Sequence, residues 1–180
     1  LVQAAGTGGN AIIKERALLV LSKLVHGVRE IQVALFGRVG FAELLVDACC
    51  DASIDVKEQA LGVLANLLDA AENSDEALED GRLFKAVLNA AENGETDEIK
   101  RRAWLALAQL AQLTTDPYVD LVQRLGEAGV DLVMRTILEG ETVAVRELSA
   151  MVLAEIINAM ELPPTPVLDV VLEILVSAGG

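Results

Sequence analysis

The sequence predicts an all-α protein built as a stack of helical repeats, an α-solenoid. The segment IKERALLVLSKLV at residues 13–25 has three further copies, VKEQALGVLANLL, IKRRAWLALAQLA and VRELSAMVLAEII. These copies span residues 56–68, 99–111 and 145–157, at spacings of 43, 43 and 46 residues. Periods of about 40–47 residues built on helices are typical of stacked helical arrays. Outside the helical stripes, no stretch alternates apolar and polar residues as a strand does.

Composition supports this fold class. Hydrophobic residues make up 53% of the chain and aromatic residues only 3%, so the core must consist of Leu, Val, Ile and Ala. Small aliphatic side chains at this density suit close packing between helices. The chain has only 4 prolines, and they fall almost wholly in predicted linkers.

The expected order in each repeat is a short helix, a buried helix and a long helix. Glycine, proline and acidic turn residues separate the segments. The predicted helices lie at residues 11–26, 28–36, 41–50, 54–70, 73–79, 82–92, 96–113, 117–125, 130–138, 143–160 and 167–176.

Four positions of the long helix form an apolar stripe that we call the core columns. Because no repeat can bury this stripe alone, neighbouring repeats must stack. The first copy adds Val20 to the stripe. The core columns are Ile13, Val56, Ile99, Val145; Ala17, Ala60, Ala103, Ser149; Leu21, Leu64, Leu107, Leu153; and Leu24, Leu67, Leu110, Ile156.

The segment GFAELLVDACCDASIDVKEQALGVLANLL at residues 40–68 resembles the armadillo repeat. That family shows a Gly-led buried helix, an acidic turn and a third helix similar to V-x-x-x-A-x-x-x-L-x-N-L. Residues 37–68, 81–111 and 129–157 fit the pattern, and residues 11–26 supply one more third helix. The resemblance implies a right-handed α-solenoid of about four repeats. We expect a single array over residues 1–180, with units at 1–26, 28–70, 74–113, 116–160 and a partial 165–180, as a segment of a longer array.

In armadillo proteins the third helices line a concave groove that binds other proteins. The resemblance implies a groove face, three positions per third helix, beside the core columns. The family often places Asn at the third position, where it bonds the main chain of an extended peptide; Asn66 matches and Gln109 is a near substitute. Trp104 lies one residue off the groove tryptophans of nuclear-import adaptors. The groove face comprises Arg16, Leu19, Lys23; Gln59, Gly62, Asn66; Arg102, Leu105, Gln109; and Leu148, Met151, Glu155.

The charge pattern bears on the partner. The net charge is −14 and the pI about 4.4, which argues against nucleic acid as a partner. Residues 72–98 hold nine carboxylates against Arg82 and Lys85. This acidic region either steers a basic partner or is a solvated surface.

A column of basic residues lies near the starts of the long helices: Lys14, Lys57, Lys100 and Arg146. A cation is unfavourable at a helix N-terminus. We therefore expect pairing with turn carboxylates such as Asp55, Asp97 and Glu98.

Two observations address the compartment. No apolar run reaches the roughly 18–20 residues that a membrane span needs. The adjacent Cys49 and Cys50 would point about 100° apart on a helix, so we expect reduced thiols packed at a helix–helix contact rather than a redox or metal site. Reduced thiols favour an intracellular location, whether cytoplasm, nucleus or organelle.

Enzyme chemistry has little support. His26 is the only histidine, and the chain has no Cys/His cluster with metal-ligand spacing and no phosphate-binding Gly loop followed by Lys-Ser/Thr. We expect no catalytic residues, metal or cofactor. The leading interpretation is a scaffold or adaptor that binds an extended or helical protein segment along the groove. The alternatives are a structural subunit inside a large assembly and an armadillo-type chaperone cofactor or transport adaptor.

Overall fold

The computed structural model describes residues 2, 10–36, 38–68, 81–113 and 117–158. The regular secondary structure of these residues is entirely α-helical. The predicted helices at 73–79 and 167–176 fall outside these ranges. The helices are α1 Ala11–Val25, α2 Arg29–Phe36, α3 Phe41–Cys49, α4 Ile54–Leu68, α5 Gly81–Asn93, α6 Asp97–Leu113, α7 Pro117–Glu139 and α8 Val143–Asn158.

The chain divides into two compact units, Leu1–Leu113 and Thr114–Gly180. In the first unit, the long helices pack side by side, α1 against α4 and α4 against α6. The shorter α3 packs on α4, and α5 packs on α6. In the second unit, α7 packs on α8. This is the arrangement that the repeated triplet predicts.

A polar cap precedes each long helix at an equivalent position. The Asn10 side chain accepts a hydrogen bond from the Ile12 amide at 3.0 Å. Ser53, Thr96 and Thr142 stand three residues before the first core column, and each hydroxyl accepts from the amide of that column's residue. Such caps satisfy amides that lack a partner within the helix. They fix where each long helix begins.

Helix α7 contains the break that the sequence predicts near Gly126 and Gly129. Gly126 has φ +63° and ψ −179°, outside the helical region. Glycine adopts this left-handed φ without the strain that a β-carbon adds. The break separates the short helix of this repeat from its buried helix, whose Leu132, Val133 and Ile137 are buried.

The core columns are confirmed in the second, third and fourth copies and are partly wrong in the first. Ala17 and Leu21 are buried, but Ile13 is 53% exposed and Val20 and Leu24 are each 42% exposed. Helix α1 is apolar on two adjacent sides, and periodicity alone does not tell which side meets α4. The buried side holds Ala17, Leu18, Leu21 and Val25.

The two cysteines differ in their environment. Both are free thiols; Cys49 is buried at the end of α3, whereas Cys50 is exposed. Burial, together with the neighbouring Cys50, raises the pKa of the Cys49 thiol to about 12. The expectation of two packed cysteines is therefore wrong for Cys50, because the chain leaves the helix at that residue.

Candidate partner-binding face

The twelve groove-face positions all lie at the protein surface. Arg16, Lys23 and Met151 are exposed, and the other nine are half-buried. The positions beside them on α4 and α6, including Leu61, Leu64 and Leu107, are fully buried. The third helices of the first unit therefore present a continuous set of nine surface positions, and α8 presents three in the second unit.

Asn66 ties two third helices together. Its side-chain amide donates to the Ser22 hydroxyl at 3.0 Å and to the Ser22 main-chain carbonyl at 3.3 Å. The buried Gln32 of α2 donates to the Asn66 main-chain carbonyl at 2.8 Å. Both hydrogen bonds of the Asn66 amide thus hold α4 against α1. The side-chain oxygen of Asn66 accepts no hydrogen bond from the described residues.

Arg102 is held at the groove face by two contacts. Its Nε donates to Glu98 at 2.5 Å, and its Nη1 donates to the main-chain carbonyl of Glu58 at 2.6 Å. The second contact reaches from α6 back to α4. Glu98 also accepts two hydrogen bonds from Arg101, at 2.7 and 2.8 Å. The Arg101 hydrogen bonds, with those of Arg102, lower the pKa of Glu98 to about 2 although partial burial opposes the shift.

Gly62 leaves the space that the Arg102 guanidinium occupies. A β-carbon at Gly62 would stand 2.6 Å from Arg102 Nη1 and 3.8 Å from the Ser22 hydroxyl. The equivalent positions in the other copies are Leu19, Leu105 and Met151. Side chains of α1 and α6 therefore converge at Gly62 of α4, and the guanidinium lies over the point where α4 has no side chain.

Two buried polar atoms lack a hydrogen-bond partner among the described residues. They are the Trp104 indole nitrogen and the Gln109 side-chain oxygen. Trp104 is fully buried, so it belongs to the core and does not line the groove face. The Gln109 amide, by contrast, sits on a groove-face position and has an unsatisfied acceptor, which is a cost to the folded chain.

Two members of the basic column, Lys14 and Lys57, pair with turn carboxylates, although these are not the carboxylates named from the sequence. Lys14 bonds Asp51 at 2.8 Å, and Lys57 bonds Glu95. The hydrogen bond from Lys14 lowers the pKa of Asp51, and that from Lys57 lowers the pKa of Glu95. Each lysine reaches forward to the turn before the next long helix, so these pairs link successive repeats.

The acidic region lies partly within the described residues. Residues 72–80 are outside the described ranges. Within the remainder, Glu95 and Glu98 are both engaged by cations of the same unit. Those two carboxylates serve packing between repeats and within α6, whatever the role of the other acidic residues.

Sequence reasoning missed Ser22, Gln32 and Glu58. The signals that could have found them are weak: a Gly in a column of large apolar residues, and a Ser that faces the Asn of the next repeat.

In the described ranges, no three His, Cys, Asp or Glu side chains are grouped so that they could hold a metal ion. None of the described helices combines the length and apolarity required to cross a bilayer.

No protein-family model matches the sequence, and no curated protein does. Solved structures match the fold. The crystal structure of an engineered protein aligns with a TM-score of 0.71 at 20% identity, over 96% of this chain and 66% of that one. A designed armadillo repeat protein in complex with the peptide (KR)4 aligns with a TM-score of 0.71 at 18% identity, over 96% and 68%. Computationally designed armadillo repeat proteins for modular peptide recognition align with a TM-score of 0.72 at 18% identity, over 96% of this chain and 68% of that one. The alignments cover about two thirds of the length of each of these solved structures. The chain has the armadillo-repeat fold.

Proposed function

We propose that this chain is a non-enzymatic protein-interaction module that binds a protein segment along the groove face. The observation that supports this most is the alternation on the third helices. Core columns are buried, whereas the groove-face positions between them stay at the surface over three successive helices of the first unit. Concave faces of repeat arrays are a common place of binding. Structural neighbours with this fold are described as made for peptide recognition.

The polar groups of the face suit an extended main chain. A peptide in extended conformation offers alternating amides and carbonyls. The Asn66 side-chain oxygen is free of donors from the described residues and can accept a peptide amide. Because Ser22 fixes the Asn66 amide, that oxygen loses little conformational freedom on binding. Leu19 and Leu105 add half-buried apolar surface on either side.

A library of random extended peptides tests the proposal while the partner is unidentified. We expect peptides selected on the full chain to lose binding to a variant with Lys23→Glu and Leu105→Ser. The matched control is Lys85→Glu with Val33→Ser, which makes similar chemical changes on α5 and α2, away from the third helices. Fluorescence anisotropy of the selected peptides measures the affinity.

The two variants separate the outcomes. Binding that is lost in the first variant and kept in the control supports the groove. Binding that both variants keep, or a library that yields no binder, contradicts it. Circular dichroism of both variants must show the wild-type helix content, so that loss of binding reports the surface and not the fold.

A structural subunit is the second candidate, and the exposed apolar side of α1 favours it. Ile12 is 60% exposed, and it lies on the same helix as the exposed Ile13, Val20 and Leu24. Contiguous exposed apolar side chains mark association surfaces. A structural subunit would associate at micromolar concentration. Light scattering that shows a monomer up to about 100 μM, a range typical of weak complexes, would count against it.

The thiols bear on the compartment. Cys49 and Cys50 are both free, which fits a reducing, intracellular environment. An intracellular location is therefore part of the proposal.

A further inference from the structure

The groove face of the first unit differs in charge from the rest of the chain. Its nine positions include three cations, Arg16, Lys23 and Arg102, and no carboxylate. The whole chain has a net charge of −14. A basic strip on an acidic protein selects partners by charge, because the remaining surface repels the same ligand.

Two of the neighbouring carboxylates are engaged within the unit. The charged residues next to the strip, in sequence or one turn before it on the same helices, include Glu15, Asp55, Glu58, Glu98 and Arg101. Counting these, four cations face four carboxylates. Glu58 accepts a hydrogen bond from the Thr96 hydroxyl at 3.2 Å, and Glu98 is shared between Arg101 and Arg102. One carboxylate therefore serves two guanidinium groups.

Arg102 is the fixed element of the strip. Its side chain is 23% exposed, and both Nε and Nη1 have acceptors within the unit. Its Nη2 has no acceptor among the described residues. A guanidinium fixed by two contacts, whose Nη2 has no acceptor among the described residues, is preorganised to donate to one carboxylate oxygen, since little rotamer entropy remains to be lost.

Gly62 makes this geometry possible. Any side chain there would meet Arg102 Nη1, at 2.6 Å for the β-carbon alone. A glycine inside a helix costs about 0.5–1 kcal/mol relative to alanine. Gly62 has a helical backbone, so conformation does not require glycine at this position. Access for the guanidinium explains it.

We propose that the first unit binds an acidic, extended protein segment, with an Asp or Glu carboxylate of that segment accepting a hydrogen bond from Nη2 of the Arg102 guanidinium that Gly62 accommodates. Lys23 and Arg16, both exposed on α1, bind further carboxylates of the same segment. This inference rests on the proposed groove function and specifies its ligand. The proposed ligand is opposite in charge to the (KR)4 peptide that one structural neighbour binds.

Labelled 12-residue peptides of fixed pattern test the ligand class on the full chain. The probes are alternating Glu-Ser, Gln-Ser and Lys-Ser peptides, which share length and spacing and differ in charge. We expect the Glu-Ser peptide to bind at least about ten-fold more tightly than the Gln-Ser peptide, as charged hydrogen bonds allow. We expect any binding of the Lys-Ser peptide to the acidic remainder of the surface to be unchanged in the variants described next, and the Glu-Ser affinity to fall as salt rises.

Three variants locate the site. Gly62→Ala keeps every charge but displaces the guanidinium, so Glu-Ser affinity should fall about ten-fold while the melting temperature is unchanged or higher. Arg102→Gln should lose at least as much affinity. Arg101→Gln is the matched control, because Arg101 also pairs with Glu98 but lies off the groove face. It should keep the affinity within about two-fold, the usual size of a peripheral charge effect.

The results overturn the inference and the proposed function separately. Equal binding of Glu-Ser and Gln-Ser peptides, or a Gly62→Ala variant with wild-type affinity, overturns the acidic-segment site and leaves the groove function standing. If the Glu-Ser peptide does not bind although random-library peptides do, the same conclusion follows. If neither binds, both proposals fail.

Discussion

At the scale of single residues, Glu98 illustrates how one side chain serves both folding and the candidate site. It lies in the first turn of α6, where a carboxylate is favoured by the helix dipole. It accepts hydrogen bonds from both Arg101 and Arg102. These hydrogen bonds stabilise the ionised carboxylate of Glu98, which is why its pKa falls from 4.5 to about 2. The same contacts orient Arg102 toward the groove face.

The shift in the Glu98 pKa makes a prediction about acid stability. Because the folded-state pKa is lowered, the stabilisation is present above pH 4.5 and is lost as pH falls from 4.5 toward 2. We expect wild type to be more stable than Glu98→Gln at pH 7, and the difference to shrink by pH 3. Urea unfolding of both proteins at each pH measures it. A difference that is the same at pH 7 and pH 3 would contradict the assignment.

Residue-level features of the site were only partly predictable. The resemblance to the armadillo repeat implies the groove-face positions, and all twelve are at the surface. Their partners do not follow, because a hydrogen bond such as Asn66 to Ser22 depends on the axial offset between α1 and α4. That offset is set by packing and not by either helix alone. For the same reason, Lys14 and Lys57 found carboxylates in the next turn instead of those at their own helix starts.

At the scale of helices, the sequence predicts where a helix starts better than it predicts which face of the helix is buried. Caps at Ser53, Thr96 and Thr142 are local signals, and the three helices begin one residue later. The buried face is a tertiary property. In α4 nearly every apolar residue is buried, because helices pack on it from several sides. In α1 the same pattern leaves Ile13 and Leu24 exposed.

A matched pair of substitutions tests this difference between faces. Leu64 of α4 is fully buried, whereas Leu24 of α1 is 42% exposed. Leu64→Asp places a carboxylate in the core without a partner, at a cost of about 4 kcal/mol or more. Leu24→Asp should cost less than about 1 kcal/mol, as expected of a surface change. Thermal melts followed by circular dichroism compare them; a Leu64→Asp melt like that of wild type would refute the assignment of the core columns.

At the scale of the whole molecule, a single array over residues 1–180 stays a prediction. Its basis is that Val145, Leu153 and Ile156 of α8 continue the buried pattern of α4 and α6. Within the first unit, the long helices are tied by Asn66 to Ser22 and by Arg102 to the Glu58 carbonyl. Stability in such an array comes from interfaces between neighbours as well as from each repeat. If the register runs through all four copies, the copies should unfold together.

The position of the only tryptophan allows a direct test of that cooperativity. Trp104 is fully buried in the first unit, so its fluorescence reports on that unit alone, whereas circular dichroism reports on all helices. In urea, a single cooperative array gives the same midpoint and slope by both probes. Two units that unfold independently would give a dichroism transition with a second phase that the fluorescence lacks. We expect coincident curves, because the repeats of a single array stabilise one another and unfold together. Curves that separate would instead place a domain boundary near residue 113 and divide the groove face into two independent binding surfaces.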